Sequence, residues 1–349
     1  MKKEFMVLIF AMCLIMLFCG AASAAKVDTH SHNGKISHDV KINHAVGTKK
    51  AVKRYNEIRS SIDGHSVVWV ENFKGRYIIY YKDLDTGYIR KVFPSNKNQY
   101  NPSISGRHVV WSQEESSNHY AIYMWNMKTG KIEKIMKSSQ NQTSPTISGK
   151  FVAWEQSLGS RSAIFFKNIV TGKIGRVSCS SLNQLNPSIS GNRIVWQQGI
   201  ERASIYMEDL STKKSSKIYQ NNQPQYSPVI NGNLVVWNSL IPGAKNDYLA
   251  VYIKNLKTGN IYRIQKTNQD QYNQFISSRF IVWVQGQKST IYVKSLKTGK
   301  TSVLHCSSKY QDEPVVSGTI VVWKQFGSSG DTIFYYKNLA TGKIGMLAP

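Results

Sequence analysis

Cysteine is scarce in this chain of 349 residues, which has four cysteines and no Cys-x-x-Cys pair. Cys13 and Cys19 fall in an apolar N-terminal segment, so only Cys179 and Cys306 remain for the rest of the chain. This count excludes a disulfide-built scaffold and argues against a cysteine-based zinc site. We expect Cys179 and Cys306 to be buried free thiols that lie too far apart to form a disulfide.

Acidic residues are also few, at 20 aspartates and glutamates against 45 lysines and arginines, which gives a formal net charge of +25. Such an excess bears on solubility and on binding partners rather than on the fold. The chain is 41% hydrophobic and 11% aromatic, so it can bury a substantial core and is not disordered throughout.

The N-terminus has the three parts of a secretory signal peptide. Lys2 and Lys3 precede an uncharged apolar run, and Ala22-Ser23-Ala24 has the small-x-small pattern of a cleavage site. The prediction is a signal peptide over residues 1–24 and a secreted protein of the cell surface or envelope. The alternative is an uncleaved anchor, because the uncharged run is long enough to span a bilayer. No second long apolar run follows.

One phrase recurs seven times along the rest of the chain and carries seven of the eight tryptophans. These tryptophans are Trp69, Trp111, Trp154, Trp196, Trp237, Trp283 and Trp323. A period of about 42 residues matches one four-stranded propeller blade, and the 3.6-residue periodicity of helical repeats is missing. The prediction is an all-β protein, a seven-bladed β-propeller of four-stranded antiparallel blades.

The second unit shows the phrase most clearly. A proline-led strand, Asn101 to Ser105, turns at Gly106 into a β-branched run that ends in Trp111. A third strand contains an aromatic residue, and a turn of the type Asn-Leu-x-Thr-Gly leads to the fourth strand. The repeated Trp, Val, Ile and Tyr residues are predicted to form the core between blades.

This phrase, Pro-x-Ile-Ser-Gly-x-x-Val-Val-Trp followed by Ile-Tyr and Asn-Leu-x-Thr-Gly, resembles the TolB-like, WD40-like β-propeller repeat, as in archaeal cell-surface propeller proteins. The resemblance covers about residues 56 to 349 and implies a propeller. It does not imply one activity, since the class includes binding proteins, surface proteins and polysaccharide-degrading enzymes. Bacterial TolB has an α/β domain before its propeller, which the short N-terminal region here does not match.

Three regions are therefore predicted: a signal peptide over 1–24, a flexible basic arm over 25–54 and the propeller over 55–349. The arm contains His30, His32, His38 and His44 among polar residues, and we interpret it as a solvated tail rather than a metal site. Residues 51–55 offer an alternative, an edge strand added to the seventh blade.

Candidate ligand residues lie where the fourth strand of one blade leads into the first strand of the next. These loops are rich in amides and tyrosines, a combination suited to hydroxylated ligands, although a feature present in nearly every blade is more typical of a structural role. Acidic residues replace neutral ones in two neighbouring loops, and such carboxylates can serve acid–base chemistry or hold calcium. The predicted funnel residues are Tyr100, Tyr226, Asp270, Tyr272, Tyr310, Asp312 and Glu313.

Lysines recur in the hairpins between third and fourth strands, on the face opposite the funnel. This predicted basic rim consists of Lys128, Lys131, Lys173, Lys214, Lys257, Lys297, Lys300 and Lys343. Edge protection explains part of the charge, but a basic rim also attracts anionic polymers.

The sequence thus favours a non-enzymatic binding module whose partner is a protein or an anionic or polyhydroxylated surface polymer. Nucleic acid is disfavoured by export, and membrane association requires an uncleaved signal or the basic surface. No cofactor is implied apart from the calcium alternative. The alternative function is a carbohydrate-active enzyme, a polysaccharide lyase or hydrolase, with a carboxylate site in the funnel.

Overall fold

The computed structural model describes residues 59–242, 247–327 and 331–347. The predicted signal peptide, the histidine-containing arm and the alternative edge strand at 51–55 lie outside these ranges. The described residues form 28 strands in seven four-stranded antiparallel sheets, which confirms the predicted seven-bladed, all-β propeller. Within those same ranges no helix is long and apolar enough to cross a membrane.

Each blade is built from four consecutive strands. The first strands are β1 (Ser60–Asp63), β5 (Gln99–Ser105), β9 (Gln142–Ser148), β13 (Gln184–Ser190), β17 (Gln225–Asn231), β21 (Gln271–Ile276) and β25 (Gln311–Ser317). The second strands are β2 (Ser66–Phe73), β6 (His108–Ser116), β10 (Phe151–Leu158), β14 (Arg193–Gln198), β18 (Leu234–Ile241), β22 (Phe280–Gln285) and β26 (Ile320–Phe326).

The third and fourth strands complete the blades. The third strands are β3 (Arg76–Asp83), β7 (His119–Asn126), β11 (Arg161–Asn168), β15 (Ser204–Asp209), β19 (Tyr248–Asn255), β23 (Thr290–Ser295) and β27 (Thr332–Asn338). The fourth strands are β4 (Ile89–Lys91), β8 (Ile132–Lys134), β12 (Ile174–Arg176), β16 (Lys214–Lys217), β20 (Ile261–Arg263), β24 (Thr301–Val303) and β28 (Ile344–Met346).

The hairpins between third and fourth strands form as their sequence predicts. In the second blade, Asn126 Oδ1 accepts hydrogen bonds from the backbone N–H groups of Lys128 at 3.0 Å and Thr129 at 3.3 Å. Gly130 then adopts a φ of 73°, which costs a glycine little. In the fourth blade Lys213 takes the place of this glycine and still adopts a φ of 59°.

Every repeat tryptophan is fully buried and stacks on the aromatic residue of the third strand. The Trp69 and Tyr80 rings, for example, lie 5.7 Å apart at 24°, and the two residues face each other in the strand register. All seven blades repeat this pair, with ring centroids 5.7 to 6.2 Å apart. Aromatic pairs add about 0.5–1.5 kcal/mol beyond their buried area, so each blade has the same internal support.

The core consists of seven separate hydrophobic clusters, one in each joint between neighbouring blades. The joint between blades seven and one is of the same kind, because Trp69 and Tyr80 pack there with Val322, Phe334 and Leu347. The first strands contact one another around the centre, and β25 contacts β1. Within the described residues the ring therefore closes by side-chain packing, with no strand exchanged between blades.

The expected burial of the two cysteines is wrong, because Cys179 and Cys306 are both exposed. Each lies two residues beyond the last buried residue of its blade, Val177 or Leu304. Beyond these residues the chain leaves the joint and enters the loop to the next blade, so the thiols face solvent.

Candidate functional site

The glutamines that begin the first strands connect neighbouring blades. Gln142 is 1% exposed, and its Oε1 accepts the backbone N–H of Ile122 in the preceding blade at 3.2 Å. Its Nε2 donates to Gln156, which also accepts the Trp154 indole N–H at 3.3 Å. Four more blades repeat the bond to the preceding blade, through Gln99, Gln184, Gln225 and Gln271. These amides therefore hold the joints together and are not available as a ring of ligand groups.

The residue before this glutamine makes a second bond across the joint. Asn98, Asn141 and Asn183 each accept a backbone N–H from the preceding blade at 2.9 to 3.0 Å. Asp270 stands at the same position and accepts the N–H of Leu249 at 2.8 Å. The structure thus places this predicted funnel residue in a joint, where its carboxylate replaces a carboxamide.

The four predicted tyrosines occupy three different joints. Tyr100 is 7% exposed and packs between Tyr77 and Tyr120, with ring centroids 5.2 and 6.3 Å away. The Tyr226 hydroxyl donates to the Glu201 carbonyl at 3.4 Å. Burial is the main reason that the pKa of each of these two phenols lies above its ordinary value. The Tyr100 ring therefore offers no open stacking face.

Tyr272 and Tyr310 lie together between the sixth and seventh blades. The Tyr272 hydroxyl is 2.8 Å from Ser289 Oγ, and the Tyr310 ring contacts Phe326 edge-on at 5.3 Å. Burial, followed by the neighbouring Tyr310, raises the pKa of Tyr272. Burial, followed by Asp312, raises the pKa of Tyr310. Of the seven funnel residues, the structure brings together these two tyrosines with Asp312 and Glu313.

A buried lysine joins the two carboxylates of the seventh blade. Lys324 Nζ lies 2.8 Å from Glu313 Oε1 and 4.0 Å from Asp312 Oδ2, and its side chain is 7% exposed. Asn273 Nδ2 from the sixth blade donates to Asp312 Oδ1 at 2.6 Å. Buried ions are tolerated when they are paired and hydrogen-bonded, as these are.

The sequence interpretation missed Lys324, although a signal for it exists. It directly follows a repeat tryptophan, at a position where the other six blades have Val70, Ser112, Glu155, Gln197, Asn238 and Val284. At this position the Glu155 carboxylate reaches the next blade, where it accepts the Asn186 backbone N–H at 2.7 Å, whereas Lys324 pairs with carboxylates of its own blade. The position directly after the repeat tryptophan thus varies from blade to blade, and this variation is the sequence signal that could have found Lys324.

The backbone at Glu313 is also unusual. Six first strands contain a bulge whose residue has a φ of 48° to 52°, and five of these residues are asparagine or serine: Asn101, Ser144, Asn186, Ser227 and Asn273. Glu313 is the sixth, with a φ of 48°. Left-handed conformations cost a non-glycine residue about 1–3 kcal/mol, and asparagine adopts them more readily than glutamate. The pairing with Lys324 helps to hold Glu313 there.

The eight predicted rim lysines are all exposed, on the hairpins of six consecutive blades. Among them, Lys131 forms an ion pair with Glu133 at 2.5 Å. An Asn or Asp side chain caps the turn in five of these hairpins, and Ser295 does so in the sixth blade. The capped turns place the lysines on one face of the ring.

Five further lysines on the third strands are half-buried and bind across the joints. Lys254 Nζ, for example, donates to the carbonyl of Ile218 in the preceding blade at 2.6 Å. Lys82, Lys167, Lys294 and Lys337 make the equivalent bond in their blades. We call these five side chains the lysine latches. They are part of the charge excess but are already used in holding the ring together.

Comparison with known proteins supports the fold. No protein-family model matches the chain, and no curated protein matches it. The β-propeller domain of the Trilobed protease from Pyrococcus furiosus, described as having an open velcro topology, is similar with a TM-score of 0.66 and 14% identity, over 83% of this chain and 97% of that domain. A puromycin-hydrolysing peptidase of Mycobacterium tuberculosis has a TM-score of 0.66 and 12% identity over 84% of this chain, which spans about half (52%) of that longer protein.

TolB from Acinetobacter baumannii is also similar, with a TM-score of 0.51 and 13% identity over 79% of this chain and 77% of that one. At such identities these likenesses show the fold alone. The β-propeller and its likeness to TolB are therefore confirmed. Among the described residues no group of three His, Cys, Asp or Glu side chains converges.

Proposed function

We propose that this protein is a non-enzymatic binding module, exported to the cell surface or envelope, that holds an anionic polymer on its lysine rim. Export is inferred from the signal-peptide pattern of residues 1–24. A cell-surface role agrees with the resemblance to archaeal surface propellers. The observation that carries the proposal is the set of eight exposed lysines that six consecutive blades present on one face.

The alternative site for a polymer, the amide and tyrosine funnel, has less support. Its glutamines bind across the joints, and its Tyr100 is enclosed by two other tyrosines. An extended anionic chain, by contrast, can contact several hairpins at once, and each contact adds to the affinity without a deep pocket.

The test is binding of the purified protein to polyglucuronate and to neutral dextran over a salt series. We expect binding to polyglucuronate that weakens as salt rises, and little binding to dextran. The double variant Lys297→Glu, Lys300→Glu reverses two exposed rim charges and should weaken binding roughly tenfold at low salt, since exposed charge pairs are each worth about 0.2–1 kcal/mol.

The matched control is Lys266→Glu, Lys309→Glu, which reverses two exposed charges in the loops of the opposite face. This control should bind nearly as tightly as the unmodified protein. An equal loss of affinity in both double variants would show that net charge alone governs binding. That result would refute the proposal that the rim is the binding site. If neither polyglucuronate nor dextran bound, the proposal of a polymer ligand would be refuted and a protein partner would be favoured.

One observation favours a second function, a carbohydrate-active enzyme. Asp312 and Glu313 bring two carboxylates to the same lysine nitrogen, and paired carboxylates are the machinery of glycoside hydrolysis. Release of sugars from the bound polysaccharide, abolished in Glu313→Gln, would support this function. Unchanged polysaccharide after prolonged incubation would exclude it for that substrate.

A further inference from the structure

The basic rim is interrupted at one blade. Six hairpins have lysine or asparagine after the turn, whereas the first blade has Tyr88, and its turn contains Asp83 and Asp85. Tyr88 is 56% exposed, which is unusual for a large aromatic residue. A site for a single ligand unit is expected where one blade differs from the others. The hairpin of the first blade is therefore a candidate site.

The neighbouring blade departs from the repeat at the same joint. Five blades have a lysine latch two residues after the third-strand aromatic, whereas the fourth blade has Glu208 there and the second has Trp125. The Arg90 guanidinium of the first blade stacks over the Trp125 ring at 4.7 Å, and Tyr81 contacts it edge-on at 5.9 Å. An arginine–tryptophan pair thus takes the place of a latch.

These departures together line a pocket between the first two blades. Its volume is 290 Å³, and its walls include Tyr81, Asp83, Tyr88, Arg90 and Trp125. Small-molecule pockets usually measure about 300–1,000 Å³, so this one suits a single small unit. It lies beside the hairpins of the first two blades, on the same face as the lysine rim.

The wall residues offer three kinds of contact: the guanidinium of Arg90, the carboxylate of Asp83 and the aromatic ring of Tyr88. Arg90 is exposed, and its Nε donates to the Lys91 carbonyl at 3.2 Å, which leaves the terminal amino groups for a planar anion. Asp83 Oδ1 accepts the N–H groups of Asp85 and Thr86 at 2.9 and 3.0 Å. These bonds, with that of Thr86 the largest, lower the pKa of Asp83, so its carboxylate is ionised and can accept hydrogen bonds from hydroxyls.

The charges of the pocket select among ligands. A cationic ligand would meet the Arg90 guanidinium in the pocket and the rim lysines of the two flanking hairpins, Lys131 and Lys343. A carboxylated sugar satisfies all three contacts, because its carboxylate can pair with Arg90, its hydroxyls can donate to Asp83 and its ring can stack on Tyr88.

We propose that this pocket binds one uronic-acid unit of an anionic polysaccharide. The proposal rests on the proposed function, since the rim would hold the rest of the same chain. The rim would supply affinity, and the pocket would supply the selection of carboxylated sugars over neutral ones.

The test uses calorimetry with a β-1,4-linked glucuronate hexamer and with cellohexaose, its neutral counterpart. Tyr88→Lys gives the first blade the lysine that most other hairpins have. It should weaken binding of the glucuronate hexamer about tenfold although it adds a positive charge. Arg90→Gln should weaken the same binding about tenfold through loss of a charge-assisted hydrogen bond.

The matched control is Tyr262→Lys, the same substitution at an exposed tyrosine (49%) on the fourth strand of the fifth blade. It should leave binding unchanged or slightly tighter. All three positions are exposed, so the variants should fold.

Each other outcome overturns a defined part of the reasoning. If Tyr88→Lys binds the glucuronate hexamer as tightly as the unmodified protein or tighter, the proposed uronate site in the pocket is refuted, while the proposed binding of the polymer by the rim is not. If the double variant Lys297→Glu, Lys300→Glu also has no effect, the proposed function falls as well. If cellohexaose binds as tightly as the glucuronate hexamer and Arg90→Gln changes neither, the pocket does not select a carboxylate.

Discussion

Removing one of the glutamines that connect neighbouring blades should destabilise the propeller without changing polymer binding by the lysine rim. Gln142→Leu deletes the acceptor of the Ile122 N–H, which belongs to a residue with 0% exposure. The Gln156 amide oxygen keeps its bond from the Trp154 indole, so only the Ile122 N–H is left unsatisfied. An unsatisfied buried group costs about 1–3 kcal/mol, and the lost bond between the two glutamines adds to this.

We therefore expect a loss of about 2–3 kcal/mol in the free energy of unfolding, which corresponds to a fall in Tm of roughly 3–5 °C for a propeller of this size. The control is Gln140→Leu, the same substitution two residues earlier, where the side chain is exposed. Thermal and urea unfolding of both variants measure the difference. Equal Tm values for the two variants would refute the structural role of the amide. If the folded Gln142→Leu variant lost polysaccharide binding, the joint amides would again be candidates for groups that contact the ligand.

Two further predictions concern the lysines and the turn caps. Lys254→Met removes a lysine latch and should lower the free energy of unfolding by about 1–2 kcal/mol, because its bond to the Ile218 carbonyl is charge-assisted and half-buried. The control, Lys257→Met on the exposed hairpin, should have almost no effect on urea unfolding. Equal effects of the two variants would contradict the stabilising role of the latch. Asp209 caps its turn, and its hydrogen bonds with Ser211, most of all the one with the Ser211 side chain, lower its pKa. The carboxylate therefore stabilises the fold at pH values above the unfolded pKa of about 3.9, and this effect is lost as the pH falls through the lower folded pKa. Asp209→Asn keeps the acceptor, and its urea midpoint should fall less between about pH 4 and pH 2 than that of the unmodified protein; parallel falls would show that the carboxylate charge is irrelevant.

The fold could be predicted because its information is local and repeated. A tryptophan every 40 to 46 residues, a turn of the Asn-Leu-x-Thr-Gly type and β-branched runs define each blade within its own segment. The exposure of the rim lysines follows from the same pattern, since a hairpin tip cannot be buried. The cysteines were misjudged because they lie just past the repeat's last core position, where the pattern gives no guide to burial.

The candidate sites depended on contacts that join separate blades. Lys82 binds a carbonyl 264 residues away, and Arg90 meets Trp125 across a joint. The partners of the glutamines and of the lysine latches are backbone groups, which every residue has and no sequence pattern marks. The sequence by itself determined the blades, their number and the lysines on their hairpins, because short-range turns and strand periodicity specify these. Only the tertiary structure decided which polar side chains hold the joints and where a pocket remains, because that depends on which residues of neighbouring blades face each other.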